Sequence, residues 1–270
     1  VLAVWAGIRE DGQPLQGNPA FGDESALAVT TDATGHVVIG GHVWGALPGG
    51  TGSELPDPFV ARYSPSGALL WVRSVLPQRG ALGTTDATRG VATDSAGNIY
   101  AVGETVDALP GEMHSGDKDA FIVKFDANGN RVWHRLLGSS AADAARAVAV
   151  DGNGNVLVVG DADGQLPLQP PVLGELFIAK YDTNGNRLWL HQWGSGGDGA
   201  NRDSGRGVAL DAAGNAYMTG YMPRNYAGTT PGGSGDGFVA KYDTNGNQVW
   251  FSRIRGLGPD EANAIAVASD

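Results

Sequence analysis

The sequence has 270 residues, a net charge of −11, no cysteine and an apolar fraction of 41%. The acidic balance argues against a nucleic-acid or anionic-membrane partner, because phosphate binding requires clustered Lys and Arg. Without cysteine there is no disulfide framework, and no apolar run approaches the roughly 18 residues that span a bilayer. The 43 glycines beside an ordinary apolar fraction fit many short strands joined by turns.

The predicted elements follow one plan along the chain. It opens on VLAVW, where Trp5 takes the Trp position of a repeat. Each later unit has an apolar strand, a DxxGN-type turn, a second strand, a third strand that begins with Phe, and a fourth strand whose Trp follows that Phe by 12 residues, as from Phe121 to Trp133. Alternating Val, Ile and Tyr with small residues, bounded by Gly, Asn and Asp, is typical of strands. The turns begin at Asp32, Asp94, Asp151 and Asp211.

The spacings indicate how these strands are grouped. Each turn Asp lies 26 or 27 residues before the next Phe, whereas the step from Trp to the following Asp varies from 18 to 27 residues. The unit is therefore a rigid four-stranded module with connections of variable length. Four-stranded antiparallel modules in series are the plan of a β-propeller. We therefore predict an all-β fold, a β-propeller of four complete four-stranded blades with partial strands at both termini.

The predicted blades cover about 25–73, 87–137, 144–193 and 204–254. Residues 1–6 supply a fourth strand without its first three, and 264–270 supply a first strand without the rest. These two pieces predict an incomplete blade. We expect 1–270 to be a single β-propeller domain that belongs to a longer chain.

The two alternating motifs resemble a known family. FVAKYDxNGNxxW followed by GxGVAxDxxGNxYxTG is similar to the SBBP-type β-propeller repeat of bacterial extracellular proteins, and the match runs along essentially the whole chain. The first copy departs from it, with Ser64-Pro65-Ser66-Gly67 in place of the DTNG of the turn. The resemblance implies a surface or secreted module. It does not name an activity, because one fold hosts many functions.

Strand order predicts which face carries specificity. In a four-stranded meander the 1–2 and 3–4 turns lie at one end, and the 2–3 loops and the links between blades lie at the other. The turns here are stereotyped, whereas the 2–3 loops are long and differ in each copy. Variable loops on a rigid scaffold are the usual carriers of specificity, so we expect a ligand on that face. The aromatic candidates for contacting it are Trp44, Tyr221 and Tyr226.

A charged motif precedes three of the predicted first strands. Since first strands line the axial channel, three arginines there could hold an anionic group through their planar forks. The alternative, which we favour, is an Asp–Arg pair that ties each blade to its neighbour. In the remaining units the Arg position falls on Asn263 and Ser25, so the ring of arginines around the axis is incomplete. The motifs are Asp86-Ala-Thr-Arg89, Asp143-Ala-Ala-Arg146 and Asp203-Ser-Gly-Arg206.

The Asp/Asn turns also resemble the start of a calcium loop, as from Asp151 to Asn155. No Glu follows at the twelfth loop position, and Asx hydrogen bonds explain the same letters, so we predict turns and no metal site. The five histidines lack zinc-site spacing. The recurring tryptophans could stack on carbohydrate, but their fixed strand position favours packing between blades. They are Trp71, Trp133, Trp189 and Trp250.

Three functions stay open. The first, which we favour, is a non-catalytic extracellular or bacterial cell-surface module that binds a protein or glycan partner through its variable loops, without a cofactor. The second is a glycan-binding lectin. The third is a polysaccharide hydrolase or lyase, because a propeller brings together carboxylates that are distant in sequence. No GxSxG, P-loop or nucleophile–base set supports an enzyme.

Overall fold

The computed structural model describes residues 25–45, 47, 53–76, 86–167, 174–195, 202–223 and 235–268. The regular elements of these ranges are sixteen β-strands, grouped in four blades. Blade 1 consists of β1 (Ser25–Thr31), β2 (Val37–Gly45), β3 (Ser53–Tyr63) and β4 (Leu69–Ser74). Blade 2 consists of β5 (Ala87–Thr93), β6 (Ile99–Thr105), β7 (Asp119–Phe125) and β8 (Arg131–Leu137). Blade 3 consists of β9 (Asp143–Val150), β10 (Val156–Ala162), β11 (Leu176–Tyr181) and β12 (Arg187–Trp193). Blade 4 consists of β13 (Ser204–Leu210), β14 (Ala216–Met222), β15 (Asp236–Tyr242) and β16 (Gln248–Ile254).

Each blade is an antiparallel meander whose strands pair in chain order. The first strands of successive blades pack on one another: β1 on β5, β5 on β9, and β9 on β13. The four sheets therefore radiate from a shared axis with their first strands innermost. This arrangement confirms the predicted all-β propeller of four-stranded blades.

The 3–4 turn of each blade is built by its own side chains. In blade 2 the Asp126 N–H donates to the Asn130 carbonyl oxygen at 2.9 Å. Asp126 Oδ1 in turn accepts the backbone N–H groups of Asn128 and Asn130, which are the predicted Asx hydrogen bonds. Gly129 has a φ of 79°, in the left-handed region that glycine adopts without steric cost. The D-x-N-G-N letters therefore fix the hairpin.

The hydrophobic core lies between neighbouring blades. Between blades 2 and 3, the fully buried Tyr100 and Ile122 belong to one cluster with Val158 and Phe177. Strands β6 and β7 are buried along their whole length, because blade 2 has a neighbour on each side. Removing this apolar surface from water contributes roughly 25 cal/mol per Å² to holding the blades together.

The segment after blade 4 continues the ring. Asp260 donates its N–H to the Gly235 carbonyl oxygen at 3.0 Å. Ala264 lies against Gly207 of β13, since a Cβ added to Gly207 would come within 3.2 Å of the Ala264 Cα. This is the position of a fifth first strand. Residues 264–268 nevertheless form no β-strand, contrary to the prediction for 264–270, because no strand among the described residues pairs with them. Residues 1–6 and 269–270 lie outside the described ranges.

Candidate functional site

A β-bulge interrupts the first strand of every blade at the same place. The register shifts across Leu27 in β1, Arg89 in β5, Arg146 in β9 and Arg206 in β13. A bulged residue is left out of the hydrogen-bond ladder, and the bend re-aims its side chain. The prediction that Ser25 occupies the arginine position in blade 1 is therefore wrong, since the structure places Leu27 there.

The aspartates of the charged motifs accept hydrogen bonds from loops. Asp143 accepts hydrogen bonds from the N–H of Ser139 at 2.5 Å and from its hydroxyl at 3.0 Å, and Ser139 follows the last strand of blade 2. Asp203 holds Ser195 after blade 3 in the same way. Each of these two carboxylates thus ties its blade to the preceding one.

Asp86 plays a different part within blade 2. It is fully buried and accepts hydrogen bonds from the Thr105 hydroxyl at 2.9 Å and the Val106 N–H at 3.1 Å. The arginines of the three motifs pair with other acids, namely Glu104, Asp161 and Glu261. The aspartates lie before the bulge in the chain. The bulge directs the side chain of each arginine toward the second strand of its own blade or, for Arg206, also toward the segment that follows blade 4.

The arginine partners follow a glycine on the second strand. In blade 2, Glu104 comes directly after Gly103 and pairs with Arg89; in blade 3, Asp161 comes directly after Gly160 and pairs with Arg146. In blade 4 the same position is held by Tyr221, whose ring centroid lies 5.9 Å from the Arg206 guanidinium carbon. The alignment of the repeats around these glycines is the sequence signal that would have found the two acidic partners.

The three arginines differ in how many of their guanidinium N–H groups have a hydrogen-bond partner. Arg89 donates from Nε to both carboxylate oxygens of Glu104 and from Nη2 to one of them. Arg206 donates from Nη1 and Nη2 to Glu261, and from Nη1 to Asn263.

Arg146 donates only from Nε, to Asp161 Oδ2 at 2.6 Å. The other oxygen of Asp161 accepts the Gly205 N–H at 3.1 Å. Neither Nη1 nor Nη2 of Arg146 therefore has a hydrogen-bond partner among the described residues, and 37% of the side chain is exposed.

A cleft of about 440 Å³ opens at this end of blades 2, 3 and 4. It is lined by the predicted residues Asp143, Arg146, Asp203, Arg206 and Tyr221. Arg89 and Asp86 do not line it. Its lining also includes charged residues that sequence reasoning missed, namely Glu104, Lys118, Asp161, Asp163 and Arg202.

The charges of the cleft nearly cancel. Four cationic and five acidic residues line it, and Arg202 forms an ion pair with Asp163. Burial raises the pKa of Asp143 to about 7, against the hydrogen bonds from Ser139 that lower it. Burial by itself would lower the pKa of Arg146, but the charges of nearby acids, Asp161 first and then Glu104 and Asp163, raise that pKa above its usual value.

Two of the predicted aromatic contacts cannot be placed. Tyr226 lies outside the described residues, as does the side chain of Trp44. Tyr221 lines the cleft, but its ring lies against Gly235, where a Cβ would come within 2.6 Å of the ring carbons. Tyr221 is therefore a fixed wall of the cleft, with Arg206 near its ring.

The recurring tryptophans join blades to one another. Trp133 donates its Nε1–H to the Thr183 carbonyl oxygen in the turn of blade 3 at 2.9 Å, and a Cβ on Gly185 would come within 2.8 Å of its ring. Trp71 and Trp189 make the same contact with the turns of the following blades. Trp250 is 42% exposed. Packing between blades, the favoured prediction, thus describes three of the four.

The remaining Asp/Asn turns are closed by local hydrogen bonds. Asp151 Oδ1 accepts the N–H groups of Asn153 and Asn155, and its Oδ2 faces the Lys180 ammonium at 3.3 Å. Across the ranges that the structure describes, no three His, Cys, Asp or Glu side chains form a group that could hold a metal ion. Within the same ranges, no helix has the length and apolar character to cross a membrane.

Comparison with known proteins agrees with this architecture. The family described as "SBBP: Beta-propeller repeat" matches residues 78–106 and 132–167. Two stretches of the chain thus match the SBBP β-propeller repeat. The matched stretches contain the first two strands of blade 2 and of blade 3, together with the links that precede them.

Two curated relatives of this chain are much longer than it is. Regulatory protein FlaEY of Caulobacter vibrioides is 24% identical over 277 residues, which cover 89% of this chain and 28% of FlaEY. The uncharacterized WD repeat-containing protein L264 of Acanthamoeba polyphaga mimivirus is 28% identical over 173 residues, which cover 53% of this chain and 12% of L264. The chain thus spans less than a third of either relative. A solved protein of unknown function from Bacteroides caccae is similar with a TM-score of 0.35 and 10% identity, over 92% of this chain and 89% of that one.

Proposed function

We propose that this SBBP-repeat protein is a non-catalytic binding module that works outside the cell or at the bacterial cell surface. The observation that carries the proposal is the cleft at the end of the blades where the long connections lie. Side chains from three blades line it, and they stand on strands or directly beside them. A rigid scaffold with convergent polar groups is the usual construction of a ligand site.

The engagement of the acidic groups supports a binding role. Asp161 is held by Arg146, Asp163 by Arg202, and Glu104 by Arg89. Each ion pair fixes the position of a carboxylate that can accept hydrogen bonds from a polar ligand. These acids are therefore suited to orienting a ligand.

The location outside the cell rests on the resemblance of the repeat to bacterial extracellular proteins. Antibody labelling of intact bacteria that express the native gene tests it. Labelling of intact cells supports the location, and labelling that requires permeabilised cells contradicts it.

Binding to a polar ligand at the cleft is the first testable prediction. Labelled protein is applied to a glycan array and a peptide array, and hits are measured by titration calorimetry. We expect Arg146→Gln to weaken binding by about tenfold or more, because it removes a charged hydrogen-bond donor. Asn128→Ala, at an exposed turn on the opposite face, is the matched control and is expected to bind normally.

The outcomes separate the candidate functions. Loss of binding in Asn128→Ala with normal binding in Arg146→Gln would place the site on the opposite face. No hit on either array would contradict the binding role. Release of products from a polysaccharide would make the protein an enzyme. The glycan-binding lectin is the second candidate, and it is favoured by the charged lining of the cleft, whose acidic groups can accept hydrogen bonds from sugar hydroxyls.

A further inference from the structure

The cleft contains a guanidinium edge that is presented toward a ligand. Arg146 has no described partner for Nη1 or Nη2, whereas the Nη groups of Arg206, in the same cleft, are occupied by Glu261 and Asn263. The two arginines hold the same position in neighbouring blades. The difference therefore lies in the surroundings and not in the backbone.

Arg146 is also fixed in place before any ligand arrives. Its Nε is bound by Asp161, whose second oxygen is held by the Gly205 N–H of the next blade. The residue stands on a bulge of a strand that is packed between two other first strands. A preorganised side chain loses little conformational entropy when it binds, so the free edge is suited to recognition.

The parallel N–H groups of a guanidinium edge match the two oxygens of a carboxylate. The acidic surroundings limit the ligand to a single negative charge. Glu104 and Asp163 lie close enough to Arg146 to raise its pKa, and a phosphate dianion would meet their repulsion. A monocarboxylate is therefore the anion that this edge accepts best.

The rest of the lining indicates what carries that carboxylate. Nine of the thirteen lining residues are charged, and the purely apolar ones are two alanines. A sugar acid brings hydroxyl groups, which donate to carboxylates such as Asp163 and Glu104. A volume of about 440 Å³ lies at the lower end of the range for small-molecule sites.

We infer that the cleft binds a uronic acid unit, with the sugar carboxylate on the Nη edge of Arg146 and the sugar hydroxyls on the acidic lining. The unit is a free uronic acid or one residue of an acidic polysaccharide. This inference rests on the proposed binding function and names the ligand class of the same site.

The test compares an oligoglucuronate with its carboxyl-reduced form, which differs only in lacking the negative charge. Free glucuronic acid and a short peptide with a free C-terminus are the two further probes, and all are measured by titration calorimetry against the full chain. We expect the oligoglucuronate to bind at least about tenfold more tightly than its reduced form, since the charged bidentate contact is lost on reduction. Binding of glucuronic acid alone would show that one unit suffices.

Two conservative variants test the role of the free edge. Arg146→Lys keeps the charge but loses the planar fork, and we expect it to weaken oligoglucuronate binding by about tenfold. Arg73→Lys makes the same change at an exposed position of β4 in blade 1, outside the cleft, and we expect binding within about threefold of the parent protein, because no ligand contact is removed. Near-UV circular dichroism and thermal melting confirm that both variants are folded.

Equal binding of the oligoglucuronate and its reduced form, or equal loss in both variants, would overturn the inference. So would preferential binding of the peptide. In each of these cases the cleft still binds a ligand and the proposed function stands. If none of the probes and no array component binds, the proposed function itself fails.

Discussion

A single glycine on the second strand of each blade makes room for the bulge beside it. In blade 3 a Cβ on Gly160 would overlap the Ala144 carbonyl oxygen, and Gly103 and Gly220 have the same relation to Ala87 and Ser204. The overlap is with backbone atoms of the neighbouring strand, so it cannot be relieved by rotating a side chain. The small residue is therefore a steric requirement of the bulged first strand.

We predict that Gly160→Ala lowers the free energy of unfolding by about 1–3 kcal/mol, the usual cost of an added methyl group in a packed interior. Urea denaturation followed by tryptophan fluorescence measures it. Gly152→Ala is the matched control, because no atom lies within 4 Å of the site of its Cβ, and it is expected to change stability little. Equal stability of the two variants would show that the bulge can relax at no cost.

At the scale of elements, the Asp turns couple the hairpins to pH. A hydrogen bond from the Asn215 side chain, together with backbone N–H groups, lowers the pKa of Asp211 to about 2. The folded carboxyl thus has a lower pKa than the unfolded one, near 4. The stabilisation is present above pH 4 and is lost as the pH falls toward 2, since the unfolded chain then binds the proton more tightly.

We predict that Asn215→Ala raises the pKa of Asp211 and reduces stability more at pH 6 than at pH 2. The reason is that the amide stabilises only the ionised carboxylate. NMR titration of the Asp211 carboxyl group and denaturation at both pH values measure the two effects. Ala212→Ser, at an exposed position of the same turn, is the control and should leave the titration unchanged. An equal loss of stability at both pH values would contradict the coupling.

The strands could be predicted from the sequence because the period-2 pattern and the fixed distance from Phe to Trp are local properties. The turns could be predicted for the same reason, since one Asp and one Gly determine their geometry. The bulge could not be predicted, because no particular residue type marks the position of an extra residue in a strand. The position of Leu27 could have been predicted, because Leu27 lies five residues before Asp32, as Arg146 does before Asp151, and the prediction of Ser25 overlooked this spacing. The pairing of Arg146 with Asp161 was missed.

The candidate site was predicted in part. Its face followed from strand order, and Arg146, Arg206 and Tyr221 do line the cleft. The interpretation of three equivalent arginines fails because Glu104 and Glu261 occupy two of the three guanidinium groups. Which acid reaches which arginine depends on packing between blades, and that is a property of distant segments.

At the scale of the whole molecule, the blades are joined by one repeated contact. A tryptophan on the fourth strand of one blade lies under the glycine of the next blade's turn, as Trp133 lies under Gly185. Trp250 has the same position on blade 4 and is 42% exposed.

We predict that Trp133→Ala lowers the free energy of unfolding by about 3–5 kcal/mol, as expected for a large buried aromatic side chain. Trp250→Ala is the matched control and should cost less than about 1 kcal/mol, because the side chain is 42% exposed. Thermal and urea unfolding measure both. Similar losses in the two variants would mean that the tryptophan stabilises its own sheet and not the joint between blades.

The bulge has a consequence for how such a ring can diversify. Because the bulged residue takes no part in the ladder, its identity is free of the constraints that fix its neighbours, and the four copies hold Leu27, Arg89, Arg146 and Arg206. Duplication of a repeat thus copies the four-stranded blade together with one position, the bulged residue of the first strand, at which the residue type can vary. Substitution there changes the chemistry around the axis one blade at a time, while the architecture is inherited unaltered.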